Sequence, residues 1–416
     1  MQKKIKTDST IKTDVLIIGA GPSGAVSASI LKKQGFHVTV IEKTKFPRFV
    51  IGESLLPLCM DLLDEANLLE AVEKKSFQKK FGAIFTKGDK SSDFDFSEQF
   101  SKSWSWTWQV QRSEFDKALI DEVEKKGAIV LYETTVEDVE FINDKVLTSV
   151  SSRQGTDIFE SKYIIDSSGY GRVLPKLLDL EKSSTLPHRS AFFTQIKDVN
   201  RPEGKDSNRI QVIVVNDAVW VWIIPLNHGI TSVGFVGDLD LLEGALKNEQ
   251  EFRKLIDSNE ILKERFGGLD YVFEPKKIIG YSSAVKQFYG NKYVLTGNST
   301  EFLDPIFSSG VTFALASGVL AAKLIVKELK NEKVDWESEY VDVIQSGVAV
   351  FRSYIDAWYD GDLQTVFFTE GISQDIKKMI CSVLSGYVWD NSNYYVKKHK
   401  KAIKTLAKVI ELKQNI

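Results

Sequence analysis

Residues 13–42 constrain the fold more than any other stretch of the chain. An apolar run, Val15-Leu16-Ile17-Ile18, stops abruptly at Gly19-Ala20-Gly21-Pro22-Ser23-Gly24, and a segment rich in Ala, Ser and Leu continues to Gln34. Gly35 is placed to end that segment as a helix, and the β-branched run at 37–41 reads as a second strand. Strand, helix and strand in this order build two neighbouring parallel strands. Gly19 turns the chain tightly off the first strand, Gly21 lets backbone approach a pyrophosphate, and Gly24 lets the helix pack closely on the strand. Pro22 and Ser23 open the helix, whose N-terminus offers unpaired N–H groups and partial positive charge to phosphates. Glu42 lies 18 residues past Gly24, where a carboxylate can accept from both ribose hydroxyls and repels a 2′-phosphate. The segment predicts a dinucleotide site, open at this point to NAD or FAD.

Composition narrows the partners. The 416 residues carry a net charge of −3, so no global basic field exists to hold a nucleic acid. The two cysteines, Cys59 and Cys381, form no CxxC pair, and the four histidines lack metal-ligand spacing, so no metal is expected. The first twelve residues are polar and lysine-rich without an apolar leader, and no run reads as a membrane span of ~18 apolar residues. A cytoplasmic protein is expected. In the lysine-rich tail at 395–416, Ile403, Leu406, Val409 and Ile410 fall at helical spacing, which suits packing on the chain's own domain and, less well, an anionic membrane surface.

Helix is expected at 57–75, 112–126, 241–265 and 311–330, and strand at 128–132, 136–141, 161–166, 210–215, 219–224, 231–236 and 292–296. Trp104, Trp106 and Trp108 alternate with Ser and Thr, which places three indoles on one face of a strand. Such a row fits a packed core as well as the wall of an aromatic cavity. The fold class is α/β: a Rossmann-like nucleotide domain, interleaved along the chain, with an inserted antiparallel sheet and a helical C-terminal region. The expected boundaries are 1–100, 109–187 and 280–330 for the nucleotide domain. Residues 101–108 and 188–279 form the inserted substrate domain, and 331–416 the helical region.

Four further segments resemble the flavin-dependent monooxygenases typified by p-hydroxybenzoate hydroxylase. Gln111-Arg112-Ser113-Glu114-Phe115-Asp116 is similar to the R-x-x-F-D segment of that superfamily, and Asp166-Ser167-Ser168-Gly169 to its D-x-x-G motif. Gly297-Asn298 falls where the family has Gly-Asp, and Asp304-Pro305 stands before a helix whose N-terminus would face the flavin ring. The resemblance implies FAD as the cofactor, an FAD-binding domain of the interleaved GR2 type, and an oxidoreductase. It further implies that Arg48, Ser54, Arg112, Val136, Asp166, Gly169, Gly297, Asn298, Asp304, Pro305, Gly310 and Val311 join the glycine loop and Glu42 in binding the cofactor. Asn298 lacks the charge of the family's aspartate.

Within that superfamily the chain resembles the flavin-dependent halogenases and the geranylgeranyl-reductase-like enzymes. Residues 47–57, reading PRFVIGESLLP, are similar to a halogenase segment, as are Trp220-Val221-Trp222-Ile223-Ile224-Pro225 and residues 302–311, FLDPIFSSGV. Lys80 stands where that family places its catalytic lysine. The resemblance implies a flavin C4a-hydroperoxide, a halide such as chloride held near Ser308, Ser309 and Gly310, and hypohalous acid passed to Lys80. Trp220 and Trp222 would keep substrate off the flavin. Tryptophan halogenases carry a glutamate at the position of Phe307, so an electron-rich phenol or pyrrole, free or carrier-bound, is the expected substrate. No second glycine-rich fingerprint is present, so NAD(P)H or a separate flavin reductase would supply electrons. A lipid-like substrate for an ene-reductase or dehydrogenase, and direct aromatic hydroxylation, are the competing expectations.

Overall fold

The protein was analysed as a computed structural model, which describes residues 10–184, 187, 189–216, 219–238, 249–281 and 283–414. The opening motif folds as its sequence dictates. Strand β1 (Val15–Ile18) is buried along its whole length, as an apolar run inside a parallel sheet must be, and helix α1 (Pro22–Lys33) starts with proline in its first turn. Gly35 ends the helix at φ +86°, and β2 (Val38–Ile41) then pairs parallel to β1.

Six strands form the sheet that carries this motif. Their order is Tyr289–Gly290, β7 (Tyr293–Leu295), β3 (Tyr163–Asp166), β1, β2 and Ile129–Leu131, all parallel except the outermost pair at 289–295. Its central members come from residues near 15, 165 and 294, so the chain leaves the sheet twice and returns. Helix α2 (Arg112–Lys125) packs beside α1, and the 21-residue helix α3 (Ser309–Leu329) lies across it. A side chain at Gly318 would collide with the Ser23 carbonyl oxygen, so glycine is what allows α3 to cross α1 so closely. By length and composition α3 could cross a membrane, but most of it is buried inside the fold, as in the core helix of a globular domain.

The second sheet has seven strands. Lys276–Ile279, β4 (Arg189–Lys197), β6 (Ile230–Asp238), β5 (Val219–Pro225), Arg209–Val214, Gly82–Lys87 and Lys90–Asp95 follow one another across it. All neighbours are antiparallel except Arg209–Val214 and Gly82–Lys87, which run parallel. This corrects the expected partition. The hairpin at 82–95, read with the nucleotide domain, is bonded into the substrate sheet. Residues 101–108 contribute only the start of Thr107–Gln109, which pairs with Gln78–Lys80 in a separate two-stranded ribbon. Pairing over three residues leaves Trp104 and Trp106 outside any strand. Their rings still meet edge to face, at 5.8 Å between Trp104 and Trp106 and 5.1 Å between Trp106 and Trp108.

Two helical expectations also change. The segment 57–75 breaks into Leu58–Glu65 and Leu69–Glu73 because Asn67 adopts φ +53° between them. Within 241–265, residues 241–248 lie outside the described residues, and Glu249–Asp257 and Glu260–Phe266 are separate helices, the second capped by the Asn259 side chain. The C-terminal region is led by helix α4 (Asp342–Tyr359) and closed by α5 (His399–Gln414). Ala402, Ile403 and Ala407 bury one face of α5 against the fold while Val409 and Leu412 face outward.

Candidate active site

The glycine loop, the turn after β3 and the start of α3 enclose a cavity of about 410 Å³. Gly19, Gly21, Pro22, Ser23 and Glu42 line it on one side, and Trp220 and Trp222 on another. Gly19 sits at φ +97°, with the Ser167 carbonyl where a β-carbon would be, and a methyl at Gly24 would overlap the Gly19 carbonyl oxygen. Both glycines are therefore required by the crossing itself. Gly24 does not line the cavity; it acts through that packing. Glu42 receives the Ala20 N–H at 2.9 Å on one oxygen and the Thr44 N–H and hydroxyl at 2.9 and 2.6 Å on the other. Its carboxylate fixes the loop as well as facing the cavity.

Two arginines bring positive charge. The Arg112 guanidinium grips Asp116 through Nε and Nη2 at 2.8 and 3.0 Å, and Arg48 Nη1 reaches the same carboxylate at 3.0 Å. Asp116 is fully buried and orients both guanidiniums, so it is a positioning residue that the sequence reading quoted without a role. Ser54, Val136, Gly169, Gly297 and Asn298 also line the cavity, and the Ser54 hydroxyl has no hydrogen-bond partner among the described residues.

Two of the expected cofactor residues do not line the cavity. Asp166 does not line the cavity: its oxygens accept from Ser168 N–H at 2.8 Å, Leu174 N–H at 2.7 Å and the Ser299 hydroxyl at 2.9 Å. Burial pushes its pKa up and those bonds pull it back. It shapes the Ser167–Gly169 turn. Asp304 is likewise withdrawn. It caps the Pro305–Phe307 turn through Ile306 N–H at 3.0 Å, and its other oxygen receives the Tyr281 and Tyr359 hydroxyls, each at 3.2 Å. Pro305, Ser308, Gly310 and Val311 do line the cavity, with Ser308 at φ +56°, whereas Ser309 faces a second, water-sized cavity of about 20 Å³ behind the turn.

Trp220 and Trp222 are both buried in β5. The Trp222 indole N–H donates to Ser232 at 3.1 Å, and a side chain at Gly234 would overlap its ring. The Trp220 indole N–H donates to the Tyr359 hydroxyl at 2.9 Å, which ties the second sheet to α4. Arg189 stacks on Tyr359, 3.3 Å from its ring centre. Lys80 is 1% exposed, donates to the Leu55 carbonyl at 2.8 Å and sits 5.3 Å from the Phe96 ring centre. Burial pushes its pKa down to about 7. Neither Lys80 nor Trp104, Trp106 or Trp108 lines the cavity, so the three-indole row is not its wall. Arg189 and Glu53 were not singled out in sequence because their partners lie on distant elements.

A cavity with a phosphate-ready glycine loop, two oriented guanidiniums and an unpaired hydroxyl fits a dinucleotide with a long, partly apolar body. Residues 12–255 match the model of the FAD binding domain family. The chain belongs to this family. Its cofactor is FAD and it is an FAD-dependent oxidoreductase, halogenase-like in its relatives. It is 30% identical to the 1H-pyrrole-2-carbonyl-[peptidyl-carrier protein] chlorinase of Pseudomonas fluorescens, over 83% of each chain. With the corresponding brominase of Pseudoalteromonas luteoviolacea it shares 28% identity over 91% of this chain and 92% of the relative. Among solved structures, a flavoprotein/dehydrogenase from Cytophaga hutchinsonii superposes with a TM-score of 0.95 at 49% identity, covering 97% of this chain and all of that one. A flavin-dependent brominase superposes at 0.83 with 25% identity and the same coverage.

Proposed function

We propose that the protein halogenates an electron-rich aromatic, a pyrrole or phenol presented on a carrier protein. The observation that carries this reading is Lys80, a lysine withdrawn from water and held by the Leu55 carbonyl at the position of the halogenase lysine. Bound and reduced, FAD supplies the electrons that activate dioxygen for oxidation of a halide. The glycine loop, Arg48 and Arg112 hold the cofactor's phosphate-bearing part. Asn298, Pro305, Ser308, Gly310 and Val311 line its ring end, with Asp166 and Asp304 fixing the turns from behind. Trp220 and Trp222 exclude water and substrate from the flavin. An ammonium at Lys80 Nζ donates a hydrogen bond to hypohalous acid and orients it. The aromatic carbon then takes the halogen, its proton leaves, and the hypohalous oxygen departs as water. Burial makes the Lys80 proton easy to move near neutral pH.

The test supplies protein, FAD, a flavin reductase with NADH, oxygen and bromide to pyrroles and phenols, free and carrier-tethered, with products read by mass spectrometry. Brominated carrier-bound product supports the reading, and its consistent absence overturns it. A second reading, oxidation or reduction of a substrate directly at the flavin, is favoured by one observation. Ile210, Trp220, Trp222 and Ile224 wall the flavin cavity itself, whereas Lys80 is not among the residues that line it. Substrate-dependent bleaching or reoxidation of the flavin without oxygen would identify that chemistry.

A further inference from the structure

Glu53, in the G-E-S-L-L-P segment, is 2% exposed and lines the flavin cavity. Its backbone is fixed on both sides: the Val110 N–H donates to its carbonyl at 2.7 Å, and the next residue but one, Leu55, donates to Trp108 at 3.1 Å. Its Oε1 accepts from the Gln195 side-chain amide at 2.5 Å, the Ser232 hydroxyl stands beside the carboxyl, and Oε2 is shielded behind the cavity wall. A buried carboxyl held by only two neutral side chains is costly, and an apolar side chain of the same size would serve packing better. The position is explained by what a carboxyl in the cavity wall can do for charge inside the cavity.

The groups facing Glu53 come from three elements. Gln195 on β4 and Ser232 on β6 stand beside the carboxyl, and Ser232 also receives the Trp222 indole N–H. From α2 comes the charge of Arg112, already paired with Asp116. Burial outweighs these three and pushes the Glu53 pKa up to about 7. A small change of charge in the cavity is therefore enough to change its protonation.

We propose that Glu53 is the proton-exchanging residue of the flavin cavity, ionised beside the oxidised cofactor and neutral beside the reduced anion. Two-electron reduction places two electrons and one proton on the flavin ring and leaves one negative charge there. Glu53 takes a second proton from solvent onto its carboxylate and so cancels the added charge. Reoxidation returns that proton. The inference rests on FAD occupying the cavity and is independent of halogenation, so failure of the halogenase reading leaves it standing.

The experiment measures the flavin midpoint potential of the holoenzyme by dye equilibration with dithionite between about pH 6 and 10, slopes being compared from about 7.5 to 8.5. In the wild type two protons accompany two electrons, so the potential falls twice as steeply with pH as in Glu53→Gln, where one proton does. Equal slopes overturn the proposal. If Glu53→Gln fails to retain FAD, Gln195→Met is read instead. It removes the donor to Oε1, which favours the neutral acid, so the inflection in potential against pH moves up in pH. An unmoved inflection overturns the proposal, because a merely structural role for Gln195 leaves the proton count unchanged.

Discussion

Two groups of contacts, one in the glycine loop and one behind the cavity wall, are built on different terms. On the cofactor side, constraint is local: Gly19, Gly24 and the Ala20–Glu42 bond lie within one strand–helix–strand unit, and each contact is backbone or nearly so. Behind the cavity wall, around Lys80 and Trp220, constraint is assembled from afar. Lys80 rests on Leu55, Trp220 on Tyr359, and Tyr359 on Asp304, contacts that join the two-stranded ribbon, the second sheet, α4 and the turn before α3. The first side tolerates little change because there is no room. The second can be altered one hydrogen bond at a time, and its chemistry should change before its fold does.

The sharpest way to break this contrast is at Gly24. Gly24→Ala forces a methyl into the Gly19 carbonyl, and the expected result is loss of FAD from purified protein, with a destabilisation of about 4 kcal/mol or more. The ratio of flavin to protein absorbance and a thermal melt read both. On the other side, Lys80→Met should retain full flavin content and lower product formation by about 10² to 10⁴-fold, the usual range for a positioned acid–base group. The same variant tests burial. Folding lowers the Lys80 pKa from 10.5 to about 7, so the unfolded chain binds the extra proton between those values. Wild-type stability should accordingly rise with pH across that window, and Lys80→Met should be flatter there by denaturant titration.

Smaller effects sharpen the comparison. Tyr359→Phe leaves the Trp220 indole without its acceptor and removes one donor from Asp304, a loss of about 1 to 2 kcal/mol in unfolding free energy. Indole emission should shift while the visible flavin spectrum stays put. Asn298→Asp replaces a neutral acceptor by a charged one on the cavity wall, and charge-assisted hydrogen bonds are roughly twice as strong. Tighter FAD binding by about tenfold at most is expected from fluorescence quenching. No change would show that Asn298 makes no hydrogen bond to the cofactor.

The same contrast explains what could be read before folding. Val15–Ile18 and Tyr163–Asp166 announce themselves because a strand buried on both faces must be apolar throughout. The hairpin Gly82–Asp95 does not reveal its sheet, since its partner Arg209–Val214 lies more than a hundred residues on and pairing of that range leaves no local pattern. Asp166 and Asp304 were legible as motif members, but a motif reports that a carboxylate is needed, not that backbone N–H groups and hydroxyls will consume it. Glu53 lay inside a recognised segment; only its burial and the Gln195 contact across the chain distinguish it.

The scattered origin of the parallel sheet has a consequence for biosynthesis. Strand β3 is flanked on one side by β7, and α1 is covered by α3, so neither the sheet nor the phosphate-binding turn is finished until about 300 residues have left the ribosome. At the usual 5 to 20 residues per second that is roughly 15 to 60 s. During this interval the apolar edge of β3 stands open to other nascent chains. FAD loading is thus expected only late in synthesis, and a chain cut short before residue 293 should carry the whole glycine motif and yet bind no flavin.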